Sequence, residues 1–223
     1  MLFKTIAGFV QLIAIMALLL FAPAWTLHYW QAWNYLAVFG CSSFLITVDL
    51  WLRDRELLER RLKAGPGAET RKRQNWIQAL ASLSFLALLL VPSLDRRFGW
   101  SQIPVAVVIA GDMLVAAGFF VVYRVFRENT FTAGTIEIAE QQTVVSTGPY
   151  AVVRHPMYAG ALILLLGTPL ALGSWWDLLS LFPMTAVLVA RLLDEEEYLA
   201  RGLRGYREYC QKVRFRLLPF RCV

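Results

Sequence analysis

A histidine, an arginine and two tyrosines surround a proline in GPYAVVRHPMYAG, residues 148–160, directly before a long apolar run. An imidazole, a guanidinium and two phenols can bind a charged or polar ligand, and the prolines restrict the backbone that carries them. Composition alone favours another interpretation, in which Tyr150 and Tyr158 lie among lipid headgroups and Arg154 extends towards phosphate. The stretch is therefore either a ligand site or an interfacial anchor.

A second polar cluster follows an apolar segment in RLLDEEEYL, residues 191–199. Arg191 and Glu195 have the i,i+4 spacing of an ordinary surface ion pair, which stabilises a helix by only about 0.2–0.5 kcal/mol. Four successive acidic residues, Asp194 to Glu197, are unusual beside a membrane because anionic lipids repel them. The acidic run therefore predicts a cationic partner.

A polar segment rich in Thr and Gln, residues 128–148, shows no helical pattern and is either a plain loop or part of a site. Asp112 lies deep in an apolar run, which predicts a polar contact between helices. Asp49 lies one turn before Arg53 and is either a functional carboxylate or half of an interfacial ion pair. Two histidines, three cysteines and no CxxC spacing predict no metal site.

Membrane helices must position these residues. Hydrophobic residues make up 58% of the 223 residues and charged residues 17%, and the mean hydropathy is +0.52. The apolar residues are gathered into blocks, which is typical of membrane proteins. The formal charge of +6 would suit nucleic acid, but the basic residues lie beside the apolar blocks, where topology and anionic lipids explain them. We expect membrane lipids as neighbours and no nucleic-acid partner.

Four apolar segments approach the roughly 20 residues that a helix needs to cross a bilayer. They run from about Thr5 to Ala22, Trp30 to Leu52, Trp76 to Leu94 and Ile103 to Val122. A further run, residues 157–190, is broken at Gly173 to Asp177 into two pieces of about 16 residues each, which predicts a helical hairpin. We expect an all-α, polytopic integral membrane protein with five to six transmembrane helices and no Rossmann domain.

The positive-inside rule orients these spans. With the loop 53–75 on the cytoplasmic side, all of the 22 Lys and Arg residues except Arg96 and Arg97 fall on that side. The N-terminal segment is interpreted as a retained span rather than a signal peptide. Both termini are then cytoplasmic. The chain divides into four N-terminal transmembrane helices with one basic loop, residues 1–123, and a region that holds the polar clusters, residues 124–223.

Taken in order, these motifs resemble the isoprenylcysteine carboxyl methyltransferase family of integral membrane enzymes and the related phospholipid N-methyltransferases. The family's G-x-Y turn and R-H-P-x-Y-x-G run match GPYAVVRHPMYAG, and its R-x-x-x-E-E-x-x-L motif matches RLLDEEEYL. Its Y-x-x-Y-x-x-x-V ending near Leu-Pro matches YREYCQKVRFRLLP, residues 206–219. The resemblance covers residues 128–219, whereas the first four spans are similar in hydropathy alone.

This resemblance implies an S-adenosyl-L-methionine-dependent methyltransferase, with residues 124–223 as the catalytic region and the cofactor between the cytoplasmic segment and the tail. Arg191 would face the methyl acceptor, and His155 would bond the carboxylate of the cofactor. The acidic run beside a sulfonium cation would account for the cationic partner inferred above. The family pattern assigns the cofactor site to Gln142, Thr143, Val144, Val145, Tyr150, His155, Pro156, Met157, Tyr158, Glu195 and Glu196, and the catalytic roles to Arg191 and Arg154.

The methyl acceptor is expected to be lipophilic and to enter from the bilayer. A carboxylate is already ionised at neutral pH and needs only an orienting cation, whereas an amine must first lose a proton. No dedicated buried base is evident beyond His155 and the acidic run, which favours O-methylation of an isoprenylcysteine-like carboxylate. Phospholipids, amines and thiols stay open as acceptors.

Two other functions also stay open. Membrane reductases of the steroid 5-alpha-reductase type share an R-H-P-x-Y stretch and bind NADPH, but they read R-H-P-N-Y where this chain has Met157. A non-catalytic scaffold or transporter would use the cytoplasmic loops for partners. For the methyltransferase, we expect the inner membrane of a bacterium, with both termini and the cofactor site on the cytoplasmic face.

Overall fold

The computed structural model of the protein describes residues 2–62, 72–132, 134–136, 138 and 142–219. Within these ranges the α-helices are α1 Leu2–Ala24, α2 Trp30–Arg53, α3 Arg55–Leu62, α4 Lys72–Phe98, α5 Val105–Glu128, α6 Pro156–Ala171, α7 Leu181–Gly202 and α8 Tyr206–Lys212. Short 3-10 helices at Gly148–Ala151 and Trp176–Ser180 precede α6 and α7. The described residues contain no strand, so the all-α prediction is confirmed.

Within the described ranges, five segments are long and apolar enough to cross a membrane: Thr5–Ala24, Trp30–Arg53, Arg73–Phe98, Val105–Glu128 and Trp176–Gly202. The helix Pro156–Ala171 is apolar but shorter, at 16 residues. This count agrees with the five to six transmembrane helices expected from the sequence. The chain is a polytopic integral membrane protein.

The C-terminal hairpin and the first basic loop differ in detail from the prediction. The second helix of the hairpin, α7, is 22 residues long rather than about 16, because the acidic run continues the apolar helix and Glu is itself a strong helix former. The loop 53–75 contains the helix α3, which begins where Asp54 Oδ1 accepts a hydrogen bond from the Leu57 amide at 2.9 Å. Residues 63–71 of that loop lie outside the described part of the chain.

The chain divides into two compact units, and the first comprises Met1–Leu45, Ser82–Ala117 and Ile163–Met184. In this unit α5 and α6 pack closely, since a Cβ atom at Gly167 would lie 2.6 Å from the Gly111 carbonyl oxygen. Such small residues let membrane helices approach each other. The Tyr29 hydroxyl donates to the Leu172 carbonyl at 2.6 Å. Oδ1 of Asp112 has no hydrogen-bond partner among the described residues, so the contact predicted for Asp112 is not seen at that atom.

The second unit comprises Ile46–Ala81, Gly118–Leu162 and Thr185–Val223. All the residues that the sequence assigned to a site lie in this unit. Its buried core is formed by α2, α3 and α5 through Leu50, Leu57, Leu58 and Phe126. A second cluster centres on Tyr206, Tyr209 and Val213 in and after α8. Asp49 pairs with Arg53 at 2.8 Å, which is the interfacial ion pair considered for that carboxylate.

Candidate active site

The G-x-Y motif forms the 3-10 turn Gly148–Ala151 that leads towards α6. Gly148 has a φ of 56°, and a Cβ atom there would lie 2.7 Å from Glu128 Cδ, so the turn needs glycine for both conformation and space. The Thr147 hydroxyl donates to the Glu128 carboxylate. Pro156 is the first residue of α6, where no intrahelical hydrogen bond is lost. The turn therefore joins the end of α5 to the start of α6.

Tyr150 is held at both its hydroxyl and its carbonyl. The Asn129 side-chain amide donates to the hydroxyl at 3.0 Å, and the Tyr209 hydroxyl donates to the carbonyl at 2.7 Å. Burial raises the pKa of Tyr150 to about 12, and the charge of Glu195 acts in the same direction, while Asn129 and Arg61 oppose it. The phenol is therefore neutral at physiological pH.

Glu196 is the centre of a buried ionic cluster. Its carboxylate lies 2.9 Å from Arg154 Nη1 and 2.8 Å from Arg216 Nε, and its Oε1 lies 3.2 Å from His155 Nε2. The backbone amides of Arg154 and His155 also donate to the carbonyls of Phe215 and Arg216, at 2.8 and 2.9 Å. The side chain of Glu196 is 11% exposed and that of His155 is 4% exposed, so solvent screens these contacts weakly. The cluster fastens the C-terminal tail to the start of α6.

The neighbouring Glu195 serves a different group of residues. The Tyr158 hydroxyl donates to its Oε2 at 2.6 Å, and the Tyr158 ring centroid lies 5.7 Å from that of His155. With 3.6 residues per turn, successive helix positions project roughly 100° apart. Glu195 and Glu196 can therefore act in two separate clusters although they are adjacent in the sequence.

Arg191 is positioned by a loop carbonyl and a buried amide. Its Nη2 donates to the Gly134 carbonyl at 2.8 Å, and its Nη1 donates to Gln74 Oε1 at 3.3 Å. The amide nitrogen of Gln74 donates in turn to the Asp194 carboxylate, and Arg73 Nη1 lies 3.3 Å from the same carboxylate. Gln74 and Asp194 are 0% and 1% exposed. Asp194 thus orients the amide that holds Arg191.

Sequence reasoning missed two residues of this region, Gln74 and Arg61. Gln74 lies in the first turn of α4. The sequence feature that could have indicated it is a polar amide residue at the start of an otherwise apolar helix. Arg61 lies in the last turn of α3, and the centre of its guanidinium is 5.2 Å from the Phe126 ring centroid. Burial lowers the pKa of Arg61, and the charge of Arg191 lowers it further, whereas Tyr158 and Glu195 raise it. The charges of Arg191, Tyr158 and Glu195 therefore all act on Arg61.

The remaining predicted residues fall into two places. Residues 142–146 form an irregular segment, on which Val144 packs, together with Tyr150, against the α8 cluster. On that segment Gln142 and Val145 are half-buried and Thr143 is exposed. Met157 packs against the core of α2, α3 and α5, so its side chain contributes to helix packing.

The arrangement therefore has two chemical parts. The first contains a carboxylate, a phenol and a guanidinium, from Glu195, Tyr158 and Arg191, with Tyr150 nearby. The second is the paired ionic cluster around Glu196. The first part contains charges of both signs, and in the second the charges of Glu196, Arg154 and Arg216 are paired with one another.

Comparison with known proteins identifies the class. A family model described as phospholipid methyltransferase matches residues 106–204. A probable protein-S-isoprenylcysteine O-methyltransferase of Oryza sativa subsp. indica is 30% identical over 147 residues, which cover 61% of this chain and 73% of that protein. Protein-S-isoprenylcysteine O-methyltransferase B of Arabidopsis thaliana is 27% identical over 145 residues, or 60% of this chain and 68% of that protein.

A Delta(14)-sterol reductase of Mus musculus is 34% identical over 89 residues, which are 39% of this chain. The chain spans about a fifth of the length of that reductase, 21%. The likeness is therefore to one part of a longer protein, in contrast to the plant proteins.

The membrane helices and the methyltransferase matches together define the class as an integral membrane methyltransferase. Within that class, the chain belongs to the isoprenylcysteine carboxyl methyltransferase family, which confirms the resemblance seen in the motifs. Membership of a methyltransferase family implies, in general, the use of S-adenosyl-L-methionine. A membrane-embedded methyltransferase is also suited to lipophilic acceptors.

Proposed function

We propose that this chain methylates the carboxylate of a lipophilic, isoprenylcysteine-like acceptor and that its methyl donor, S-adenosylmethionine, binds at the residues described above. The observation that carries the proposal is the joint placement of Glu195, Tyr158 and Arg191 at one end of α6 and α7 within a single unit. A cationic donor and an anionic acceptor need groups of both signs close together, and this set supplies them.

The chemistry of these residues fits the proposed cofactor. When bound, S-adenosylmethionine supplies a methyl carbon that its sulfonium centre activates. Tyr150 and Tyr158 offer aromatic faces to that cation, a contact of about 0.5–2 kcal/mol, and Glu195 offers a carboxylate. His155 would bond the amino acid end through Nδ1, since its Nε2 faces Glu196.

The irregular segment and the start of α6 would complete the cofactor site. The backbone of residues 142–145, from Gln142 to Val145, offers donors and acceptors to the adenine edge. Pro156 and Met157 would contribute mainly main-chain surface, because the Met157 side chain packs in the helical core.

Arg191 would orient the acceptor carboxylate, which is ionised at neutral pH and needs no general base. Methyl transfer is a displacement at an activated carbon, so positioning supplies much of the rate. Gln74 and Gly134 hold the Arg191 guanidinium for this purpose. No proton has to be moved by the protein.

Arg154 and Glu196 fit a positioning role better than direct contact with the reactants. Glu196 is engaged by Arg154, His155 and Arg216 at once. We propose that this cluster closes the C-terminal tail over the start of α6 and so keeps the cofactor residues in place.

The proposal includes the placement of the site in the membrane. The basic residues of the site-bearing unit favour a cytoplasmic orientation under the positive-inside rule, in the inner membrane of a bacterium. Residues 124–223 would form the catalytic region and residues 1–123 the helices beside it. The polar head of the acceptor would meet the water-soluble cofactor at the membrane surface while its lipid tail stays in the bilayer.

A transfer assay tests the function. The full-length protein in nanodiscs is given methyl-tritiated S-adenosylmethionine with an N-acetylated S-prenylcysteine, phosphatidylethanolamine or a prenyl thiol. We expect label in the prenylcysteine as an ester that releases methanol in base. Base-stable label on the phospholipid alone would replace O-methylation by N-methylation, which is the first alternative because the phospholipid methyltransferase model matches this chain. Base-stable label on the thiol alone would replace O-methylation by S-methylation.

Cofactor binding is tested by calorimetry on variants. Glu195→Ala and His155→Ala should abolish S-adenosylmethionine binding while the protein stays folded. The matched control is Glu197→Ala, because the Glu197 side chain is 50% exposed and pairs only along its own helix with Arg201 in the described structure. Unchanged affinity in both site variants would overturn the proposed cofactor site and favour a non-catalytic scaffold.

The likeness to the Delta(14)-sterol reductase of Mus musculus supports a second candidate, a nicotinamide-dependent membrane reductase. The same calorimetric experiment with NADPH decides between the two. Binding of NADPH without binding of S-adenosylmethionine would assign the site to reduction.

A further inference from the structure

We propose that the turn between α6 and α7, residues 172–180, carries a binding site for a hard divalent cation, best matched by Ca²⁺, with ligands from Asp177, Gln31 and Asp95. The proposal goes beyond methyl transfer and does not depend on it. These residues all lie in the first compact unit, whereas the candidate active site lies in the second. The sequence analysis considered His and Cys ligands, which select other metals than a site made of oxygen atoms does.

Hydrogen bonds from two serines tie this turn to the end of α4. The Ser174 hydroxyl donates to Asp95 Oδ2 and accepts from the Asp177 amide at 3.1 Å. The Ser101 hydroxyl donates to Asp95 Oδ2 at 2.6 Å, and the Ser101 amide donates to Oδ1 at 2.7 Å. Asp95 and Ser174 are 2% and 0% exposed. One buried hydroxyl therefore lies between the Asp95 carboxylate and the backbone of Asp177.

Helix α2 contacts the same turn through two polar side chains. The Tyr29 hydroxyl donates to the Leu172 carbonyl at 2.6 Å. The Gln31 side chain packs against Gly173, because a Cβ atom at that glycine would lie 3.4 Å from Gln31 Nε2. Gly173 has a φ of 75°, a left-handed conformation that glycine adopts without strain. The Gln31 amide therefore lies beside the residue that precedes Ser174.

Three buried oxygen atoms of these side chains have no hydrogen-bond partner among the described residues, namely Oδ1 and Oδ2 of Asp177 and Oε1 of Gln31. Asp177 is 0% exposed. The Ser180 hydroxyl, one turn along the same 3-10 helix, interacts with the Asp177 carboxylate but does not reach hydrogen-bonding geometry with either oxygen. All three atoms are acceptors, so a ligand that satisfies them must bring positive charge or hydrogen-bond donors.

Neither Asp95 nor Asp177 forms an ion pair with a basic residue in the described part of the chain. Arg96 and Arg97 follow Asp95 in the sequence, but Arg96 Nη2 donates to the His28 carbonyl at 2.9 Å, and the Arg97 guanidinium lies over the Trp25 ring. A buried carboxylate without a counter-charge is costly. A divalent cation would neutralise both carboxylates at once.

The donor atoms favour Ca²⁺ among the divalent cations. Carboxylate, amide and hydroxyl oxygens suit Ca²⁺ and Mg²⁺ better than the softer transition metals. Mg²⁺ demands near-ideal octahedral geometry, whereas Ca²⁺ takes about six to eight oxygen ligands in a flexible arrangement. Because the two serines already fix the Asp95 carboxylate, the cation must adapt to the ligand positions. The proposed orientation places the turn on the non-cytoplasmic face, where a Kd of about 0.1–1 mM is usual for Ca²⁺ sites.

The test measures cation binding to the full-length protein in a non-ionic detergent, after metals have been removed with EDTA. Tb³⁺ serves as a luminescent substitute for Ca²⁺ and is excited by energy transfer from tryptophan, since Trp175 and Trp176 lie between Ser174 and Asp177 in the sequence. Competition with Ca²⁺ and Mg²⁺ gives their affinities. Thermal unfolding with and without Ca²⁺ is the second readout.

The variants are Asp177→Asn and Gln31→Met, and Glu56→Gln is the control. The Glu56 side chain is 80% exposed and lies 3.6 Å from Arg60 on its own helix, so this variant removes a surface carboxylate outside the proposed site. Gln31→Met removes the amide oxygen and keeps both carboxylates.

Wild type should bind Ca²⁺ with a Kd of about 0.1–1 mM and unfold at a higher temperature in excess Ca²⁺, since a ligand stabilises the state that binds it. Asp177→Asn should weaken Ca²⁺ binding at least about tenfold, because a charged ligand is lost, and its Tm should no longer depend on Ca²⁺. Without Ca²⁺ this variant should be at least as stable as wild type, because a buried charge is removed. Gln31→Met should lose less affinity, and Glu56→Gln should behave as wild type.

Four results would contradict the proposal. Absence of Ca²⁺ binding in wild type, together with a more stable Asp177→Asn, would mean that the Asp177 carboxyl is neutral and needs no cation. Equal Tb³⁺ luminescence and Ca²⁺ affinity in wild type and Asp177→Asn would assign the binding to surface carboxylates. An equal loss of stability in Asp177→Asn with and without Ca²⁺ would leave Asp177 a purely structural role. Tighter binding of Mg²⁺ than of Ca²⁺ would overturn the assignment to Ca²⁺.

Discussion

Gln74 joins two charged residues of one helix, since its amide nitrogen donates to Asp194 and its amide oxygen accepts from Arg191 Nη1 at 3.3 Å. Arg191 and Asp194 are three residues apart on α7 and so lie on one face. A single side chain from α4 therefore holds both. The Gln74 amide is itself uncharged, so its contact orients the guanidinium of Arg191 through a hydrogen bond and not through an ion pair.

Replacement of Gln74 by Leu should lower kcat/KM by at least about tenfold, because a hydrogen bond to a charged group is lost. The unfolding free energy should fall by about 1–3 kcal/mol, since the buried Asp194 carboxylate loses a donor. Transfer kinetics and thermal unfolding in detergent measure the two effects. Gln211→Leu, an exposed site on α8, is the control. Normal kcat/KM in Gln74→Leu would show that Arg191 does not depend on this amide.

Tyr158 allows the contribution of its ring to be separated from that of its hydroxyl. Tyr158→Phe keeps the aromatic face, whereas Tyr158→Leu removes it. If the face binds the sulfonium, Leu should weaken S-adenosylmethionine binding by about 0.5–2 kcal/mol relative to Phe, measured by calorimetry. Equal losses in the two variants would assign the effect to the hydroxyl that donates to Glu195.

Gly167 tests the close packing of α5 and α6. An added Cβ atom would lie 2.6 Å from the Gly111 carbonyl oxygen and 2.8 Å from the Val115 amide nitrogen. These are backbone atoms, so a helix must shift, and Gly167→Ala should destabilise the protein by about 1–3 kcal/mol. The control, Gly8→Ala, has nothing within 4 Å and should be neutral or slightly stabilising because alanine favours helix. Thermal unfolding of both variants in one detergent checks the difference.

The membrane helices and the motif residues could be predicted from the sequence because each signal is local. Apolar runs of sufficient length predict spans wherever they occur. The motif around His155 and the acidic run of α7 were expected to meet, and His155 Nε2 lies 3.2 Å from Glu196 Oε1. The structure also gives Glu195 and Glu196 separate partners, which motif order alone does not reveal.

Arg61 and Gln74 could not be predicted in the same way. Gln74 and Asp194 are 120 residues apart, and no periodic pattern in the sequence predicts that they are in contact. Arg61 lies in a loop with several other basic residues, which the positive-inside rule already explains. Nothing in the sequence therefore distinguishes Arg61 as a residue with a specific contact. The helix α3 is strongly charged, yet its Leu57 and Leu58 side chains are buried in the core. The sequence shows only two leucines among charged residues, and the folded structure is needed to see that they anchor the helix.

Glu196 and Glu197 form a matched pair for testing the ionic cluster. Glu196→Gln leaves Arg154 and Arg216 facing an uncharged partner in a buried place, and breaking a buried ionic contact costs about 3–5 kcal/mol. Glu197→Gln removes a pair with Arg201, whose side chain is 73% exposed, and should cost no more than about 0.5 kcal/mol.

Glu196→Gln should increase hydrogen exchange at the contact between the C-terminal tail and the start of α6 more than in the rest of the protein. If Glu196 fastens the tail, hydrogen exchange at the Arg154 and His155 amides should accelerate, because these amides donate to Phe215 and Arg216 in the tail. Peptides from α1 serve as the internal reference. Equal exchange at residues 154 and 155 in both Glu variants would mean that the backbone contacts hold the tail without the ionic cluster, and the positioning role of Glu196 would be lost.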